Sequence, residues 1–337
     1  MSEINAPSPA VRPKGRMRAV FGNLGWLLAS NGLMAALSLI YIGIATRTLG
    51  ITDFGRFALI TGASQMLAAL VSFETWKIVV QYGLEHETHG DNEAVWRVQK
   101  AAALMEVASA IAGIIVVIAL FSRWPEPGNI KSDVRPYAIG YAIVQLLTLR
   151  STPTGILRLR DKFGLSAMAD SAQPIGRLIG ALAALAFWPT IQGFLLGYAL
   201  AEVATWIAYW AVLARTADLR GLLGTKLKGR LVLDENKGLL RFMWSTNLQA
   251  SLGLASRQAP LLLVGGYAGP TAAGAFRLAL QLANALSKVS TLVMRAAFPE
   301  LVRSIRSLPR ERFLWFVGRI LMSGIAGGAV VMLLVII

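Results

Sequence analysis

The chain has 337 residues, 55% of them hydrophobic and only 15% charged, with a mean hydropathy of +0.57. Soluble domains carry about 25% charged residues, so a wholly water-exposed globule is excluded and lipid must cover part of the surface. There is no cysteine, which excludes a disulfide framework, thiolate chemistry and cysteine-built zinc sites; the net charge of +15, from 33 Lys and Arg against 18 Asp and Glu, sits mainly between apolar runs, as in loops facing anionic headgroups, and not on a soluble fold that would present it to nucleic acid.

A bilayer core takes roughly 20 apolar residues in a helix. Nine spans are predicted: Phe21–Ala45, Phe54–Val80, Ala101–Phe121, Pro136–Leu157, Gly164–Trp188, Ile191–Leu213, Gly238–Val264, Thr271–Phe298 and Phe313–Ile337. The fold class is all-α and polytopic, because open sheets leave backbone unsatisfied in lipid. Met1–Gly15, rich in Pro and Ser, reads as a disordered tail. The first apolar run is too long for a cleaved signal peptide, and no small-x-small site closes it.

Lys and Arg in the loops set the orientation. Arg12, Lys14, Arg16 and Arg18 precede the first span. Arg158, Arg160 and Lys162 follow the fourth. Arg215, Arg220, Lys226, Lys228, Arg230 and Lys237 follow the sixth, and Arg303, Arg306, Arg310 and Arg312 the eighth. The alternate loops Pro189–Gln192 and Gly265–Pro270 carry no charge, while Ser122–Arg135 is mixed. The N-terminus is therefore expected in the cytoplasm. Gln81–Lys100 is assigned to the same side although it holds Glu85, Glu87, Asp91 and Glu93, since acids count little in this rule.

Two segments correspond at an offset of 219: Gly50-Ile51-Thr52-Asp53-Phe54-Gly55 and Gly269-Pro270-Thr271-Ala272-Ala273-Gly274. Each links a span with a polar residue (Asn31, Asn247) to a helix carrying small and polar residues. The glycines suit a tight turn and close helix approach. Six spans per unit is even, so the units are read as parallel repeats with binding sites expected where they face each other. The domains that follow are a basic cytoplasmic tail, 1–20; a first six-helix lobe, 21–214; a cytoplasmic linker, 215–237; and an incomplete second lobe, 238–337. The chain stops inside the apolar run Leu334-Val335-Ile336-Ile337, which reads as truncation of the second lobe.

Thr46-Arg47-Thr48-Leu49-Gly50, followed by Phe54-Gly55, resembles the Ala-Arg-x-Leu-Gly…Phe-Gly signature of Wzx-like polysaccharide and O-antigen flippases, within the multidrug/oligosaccharidyl-lipid/polysaccharide exporter superfamily. Phe298-Pro299-Glu300-Leu301 is similar to that family's Phe-Pro-x-Leu segment. Position 46 is Thr where the family usually has Ala, and the family has twelve or more spans. The resemblance implies no cofactor, a bacterial inner-membrane location, and export of lipid-pyrophosphate-linked glycan for polysaccharide and lipopolysaccharide assembly. It also implies contact with membrane lipids and with polysaccharide polymerase and other assembly proteins. Arg47, Gly50 and Gly55 are the turn residues of the motif.

Polar residues at helical spacing carry the transport reading. Arg277, Gln281, Asn284, Lys288 and Arg295 share one face of the eighth span. A cation near the bilayer centre costs about 2.5–3.5 kcal/mol on insertion scales, so this stripe should face water or an anionic ligand. The repeat-related positions in the second span are Ala58, Gly62, Gln65 and Ala69. Asp170, Gln173, Pro174 and Arg177 share a face of the fifth span, and Arg257 lies in the seventh.

The expected site is thus a cationic cavity between lobes. Arg257, Lys288 and Arg177 contact phosphates, with Arg277, Asn284, Gln281 and Gln65 also lining it. Asp170 holds Arg177 or couples an ion, and Glu74 has a similar ionic role. Arg150 and Glu202 read as structural pairing charges. His86-Glu87-Thr88-His89 is one residue short of a zinc motif, and no phosphate-binding glycine loop appears. The rival readings are a cation antiporter of the MATE type, a membrane glycosyltransferase, and a non-functional exporter fragment.

Overall fold

The computed structural model describes residues 13–123, 132–216, 219–226 and 229–307, together with 318 and 322. Lys288 and Arg295 have side chains outside the described ones, and most of the ninth span lies outside as well. Among the described residues every regular element is an α-helix. They run α1 (Pro13–Val71), α2 (Thr75–Thr88), α3 (Asn92–Arg123), α4 (Arg135–Leu147), α5 (Ser151–Leu159), α6 (Phe163–Phe187), α7 (Ile191–Arg215), α8 (Leu219–Gly224), α9 (Gly229–Glu235) and α10 (Leu239–Ser307).

The chain is an all-α polytopic membrane protein. Leu37–Thr88, Asn92–Leu120 and Ile191–Arg215 are long and apolar enough to cross a bilayer among the described residues. On α3, Leu104, Val107, Ile111, Ile115 and Ile118 recur every three or four positions and all are exposed. A stripe of that kind is a liability in water and the natural surface toward acyl chains. Residues 37–281 form one compact unit, and residues 1–36 with 282–337 form another. In the latter the described backbone is the outer ends of α1 and α10, helical from 13 and up to 307. Everything below concerns the unit 37–281.

Within α1 the helix is interrupted at Gly50 (φ 72°, ψ 165°), and within α10 at Gly269 (φ 81°, ψ 176°). That backbone region is essentially closed to residues with a Cβ. The two interruptions stand 219 residues apart, as the sequence correspondence predicts, and their flanks touch. Thr52 and Thr271 share a hydrogen bond between hydroxyls of 2.9 Å. A Cβ on Gly55 would overlap the Pro270 carbonyl, and one on Gly274 would overlap the Ile51 carbonyl. Smallness at both positions is therefore required by backbone-to-backbone contact.

Two predicted spans are not continuous. The second breaks at Ser72–Glu74, before α2. The fourth breaks at Thr148–Arg150, between α4 and α5. Pro153 explains the fourth: in an unbroken helix its ring would strike the carbonyl of Leu149. That carbonyl is instead free to accept from Trp210 Nε1 at 3.0 Å. The two breaks are neighbours, because Trp76 N donates to Ser151 Oγ at 3.0 Å. A Cβ on Gly155 would come within 2.8 Å of Val79, so α5 lies directly on α2.

The predicted loop Gln81–Lys100 shrinks to a turn at His89–Asp91 with Gly90 at φ 75°. The helices on either side extend past the bilayer-length apolar windows, and ion pairs hold the extensions. Arg97 makes two hydrogen bonds to Glu235, of 3.0 and 2.7 Å, and pairs with Glu93 at 3.3 Å. His86 of the discarded zinc motif bonds Asn236 at 2.9 Å. The linker is likewise not structureless. Lys100 Nζ donates to the carbonyls of Leu223 and Thr225 at the end of α8, at 3.0 and 2.6 Å, a favourable place for a cation.

Candidate functional site

Small residues bring the site together. Gly176 and Gly180 of α6 face Ala201 and Gly197 of α7, and a Cβ on Gly180 would come within 2.8 Å of the Gly197 Cα. This close crossing sets Glu202 of α7 against Gln173 and Arg177 of α6. Glu202 is wholly buried. Its Oε1 accepts from Gln173 Nε2 at 2.6 Å and from Arg177 at 2.8 Å. Its Oε2 faces Arg150 at 3.2 Å, brought in by the break before α5. A buried carboxylate without such partners would be strongly destabilising.

Arg177 is held on further sides. It donates toward the Tyr41 hydroxyl at 3.5 Å, and its guanidinium lies 4.7 Å from the centre of the Tyr198 ring. Asp170, two turns earlier on α6, accepts from Tyr209 Oη at 2.6 Å. Of the two roles read for Asp170, holding Arg177 therefore belongs to Glu202 in this structure. The reason is geometric: the α6–α7 seam turns Arg177 toward α7, while Tyr209 two turns further along α7 reaches Asp170.

Beside this cluster lies a cavity of about 530 Å³. Gln65 and Ser72 of α1, Glu74 and Trp76 at the first break, and Gln145, Arg150 and Arg158 around the second line it. Glu106 of α3, Asp170, Gln173 and Arg177 of α6, Tyr209 of α7, and Ala250 and Leu254 of α10 complete the wall. Irregular backbone at membrane depth is tolerated where protein buries it or where it lines such a space, and both breaks do so.

Glu106 serves both breaks. It is buried, and its carboxylate accepts from Ser151 N (2.8 Å), Thr152 N (2.9 Å), Thr152 Oγ1 (2.6 Å) and Thr75 Oγ1 (3.4 Å). It satisfies the exposed N–H groups that begin α5. Sequence reasoning passed it over; the available signal was a lone carboxylate inside an apolar span. Pro153 was the signal for the break it caps.

The predicted residues do not fall in one place. Gln65, Glu74, Asp170 and Arg177 line the cavity. Glu74 forms an ion pair with Lys77, and Gln65 accepts from Gln258 Nε2 of α10 at 2.8 Å. Arg277 instead borders a much smaller void of about 20 Å³, with Tyr41, Phe57, Tyr198, Gln65 and Arg177. Gln281 is half-buried, while Arg257 and Asn284 are exposed, and none of the three lines either space. Arg47 is exposed beside the Gly50 turn. Lys288 lies outside the described side chains. The described cavity thus carries the expected Glu74 and Asp170 beside its arginines, and adds Glu106 of α3, which sequence reading did not assign to the site.

Residues 20–305 match the family described as Polysaccharide biosynthesis protein. The chain belongs to that family. It is also 27% identical over 320 residues to the inner membrane protein YghQ of Escherichia coli (strain K12), which covers 94% of this chain and 88% of YghQ. No solved structure matches the chain. Within this polysaccharide biosynthesis protein, the glycine-bearing motif copies and the cavity all fall inside the matched range.

Proposed function

We propose that this protein exports lipid-linked oligosaccharide or polysaccharide precursors across the bacterial inner membrane. The headgroup enters a polar chamber, the lipid tail stays in the bilayer, and the chamber opens alternately to each side. The observation that carries this reading is the polar cavity of about 530 Å³ inside a lipid-facing helical bundle. That size lies within the 300–1,000 Å³ typical of sites for compact ligands. Arginine, amide and aromatic groups in its wall suit phosphates and sugars. No step in this scheme requires bond cleavage by the chain, so it is read as a carrier and not an enzyme.

The two lobes, 21–214 and 238–337, and a cytoplasmic N-terminus belong to the same proposal. So do the roles of Arg257, Lys288 and Arg177 as phosphate contacts, with Arg277, Gln281, Asn284 and Gln65 as further polar lining. Glycan polymerase and other assembly proteins are the partners it implies.

A cation antiporter is the second reading, favoured by Glu74, Glu106 and Asp170 in the wall. Each carboxylate already has a partner, however: Lys77, backbone N–H groups and Tyr209 respectively. The glycan reading is preferred for that reason. The test is a deletion strain complemented with Arg177→Gln or the double variant Arg257→Gln/Lys288→Gln. Export of glycan should fall at least tenfold while expression persists, with lipid-linked precursor accumulating on the cytoplasmic face. Normal export at normal expression would remove the phosphate role.

A further inference from the structure

The Glu202 cluster holds two arginines for one carboxylate, and the two are not equivalent. Arg177 is 14% exposed, with Tyr41 and Tyr198 also engaging it. Arg150 is 32% exposed, lies on the unwound segment before α5 and, among the described residues, pairs with Glu202 Oε2 alone, at 3.2 Å. If Arg150 departs, Glu202 keeps Arg177 and Gln173, so no buried carboxylate is orphaned. If Arg177 departed, the closest cation would be lost. Arg150 is the exchangeable member.

A second arginine stands on the same wall. Arg158, in the last turn of α5, lies over Trp76 with its guanidinium carbon 4.3 Å from the ring centre. Among the described residues it makes no ion pair. Arg150, at the N-cap of α5, and Arg158, in its last turn, are eight residues apart, about 12 Å at helical rise. Their long side chains can converge on one extended anion in the cavity that both line. Stacking on an aromatic face orients the guanidinium and leaves its N–H edge free for phosphate oxygens.

We infer that Arg150 and Arg158 form a subsite for a phosphoryl or pyrophosphoryl group, in which Arg158 is preset by Trp76 and Arg150 changes partner from Glu202 to the ligand. This deepens the glycan-export reading and rests on it for the lipid-borne source of the phosphate. The exchange is favourable because a phosphate offers more charge and more acceptor oxygens than the carboxylate it replaces. The acids of the cavity wall, Glu74, Glu106 and Asp170, engage Lys77, the N–H groups of Ser151 and Thr152, and Tyr209 respectively.

The test uses the full chain in phosphatidylcholine nanodiscs, titrated by calorimetry with inorganic pyrophosphate, and nanodiscs carrying polyprenyl pyrophosphate as the second arm. Arg158→Gln should weaken binding at least tenfold and Arg150→Gln about fivefold, with Arg158→Lys recovering less than half of the loss. Glu202→Gln should tighten binding severalfold, because it frees Arg150; a merely structural carboxylate would not produce that gain. If Glu202→Gln does not fold, Arg150→Gln, which leaves Glu202 paired, carries the test. Tenfold preference for the polyprenyl arm assigns the lipid-borne source, and equal affinity assigns free phosphate; both support the subsite. Wild-type affinity in Arg150→Gln and Arg158→Gln, or no binding of either probe by the wild type, overturns it. Glycan export measured in cells separates the two ideas: binding that needs both arginines in a protein whose deletion leaves export intact would sink the export reading and spare the subsite.

Discussion

Two kinds of helix interruption occur in the same unit, and they differ in what surrounds them. At Gly50 and Gly269 the backbone turns and packs directly on its repeat-related copy, with Gly55 and Gly274 in contact and Thr52 bonded to Thr271. At Ser72–Glu74 and Thr148–Arg150 the backbone unwinds beside open polar space. Freed backbone groups need partners inside a membrane. The first pair satisfies this by closeness, which demands glycine. The second pair recruits side chains, namely Glu106, Ser151 and Trp210, and in doing so polarises a cavity.

The largest effect should come from filling the close contact. Gly55→Leu or Gly274→Leu forces a side chain into a carbonyl and should cost about 3 kcal/mol or more, seen as loss of monodisperse protein in detergent. A variant that purifies and melts like the wild type would deny the backbone contact. Next is Glu202→Ala, which leaves Arg177 buried with its main counter-charge removed. A loss of about 3–5 kcal/mol is expected, read as a lowered Tm in micelles and partly restored by Glu202→Gln.

Glu106→Ala strips several N–H and hydroxyl donors of their acceptor and should cost about 1–3 kcal/mol. Faster amide exchange confined to residues 151–154 would locate the effect. The absence of cysteine permits a sharper comparison. A Thr52→Cys/Thr271→Cys pair should oxidise readily, since the hydroxyls it replaces are 2.9 Å apart. If the repeat contact must open during transport, export stops until reductant is added. Continued export in the fully cross-linked protein would make this contact a fixed fulcrum. The smallest effect is at Gly253 of α10, where a Cβ meets nothing within 4 Å. Gly253→Ala should stabilise by about 0.5–1 kcal/mol, the opposite sign from Gly55.

Much of the helical frame was legible from residues alone. The predicted span Gly164–Trp188 differs by one residue at each end from α6, Phe163–Phe187. Ile191–Leu213 shares its start with α7. The corresponding glycines at 50 and 269 were equally readable, because only glycine adopts that backbone. Pro153 was readable too, yet a span drawn by hydropathy runs straight through it. Apolar content averages over a window, whereas a proline acts on one carbonyl.

The charges behaved differently. A stripe on one helix shows which residues share a face and says nothing about what stands opposite. Asp170 and Arg177 are neighbours on α6, yet Tyr209 and Glu202, both from α7, are what they meet. Hydropathy, glycine and proline act through the chain's own backbone, so the sequence by itself determined the all-α membrane class and the places where helices turn. Pairing energies depend on separations of a few ångströms between residues remote in sequence. For that reason only the tertiary structure decided that Glu202 holds Arg150 and Arg177, that Glu106 caps α5, and that these groups share one cavity wall.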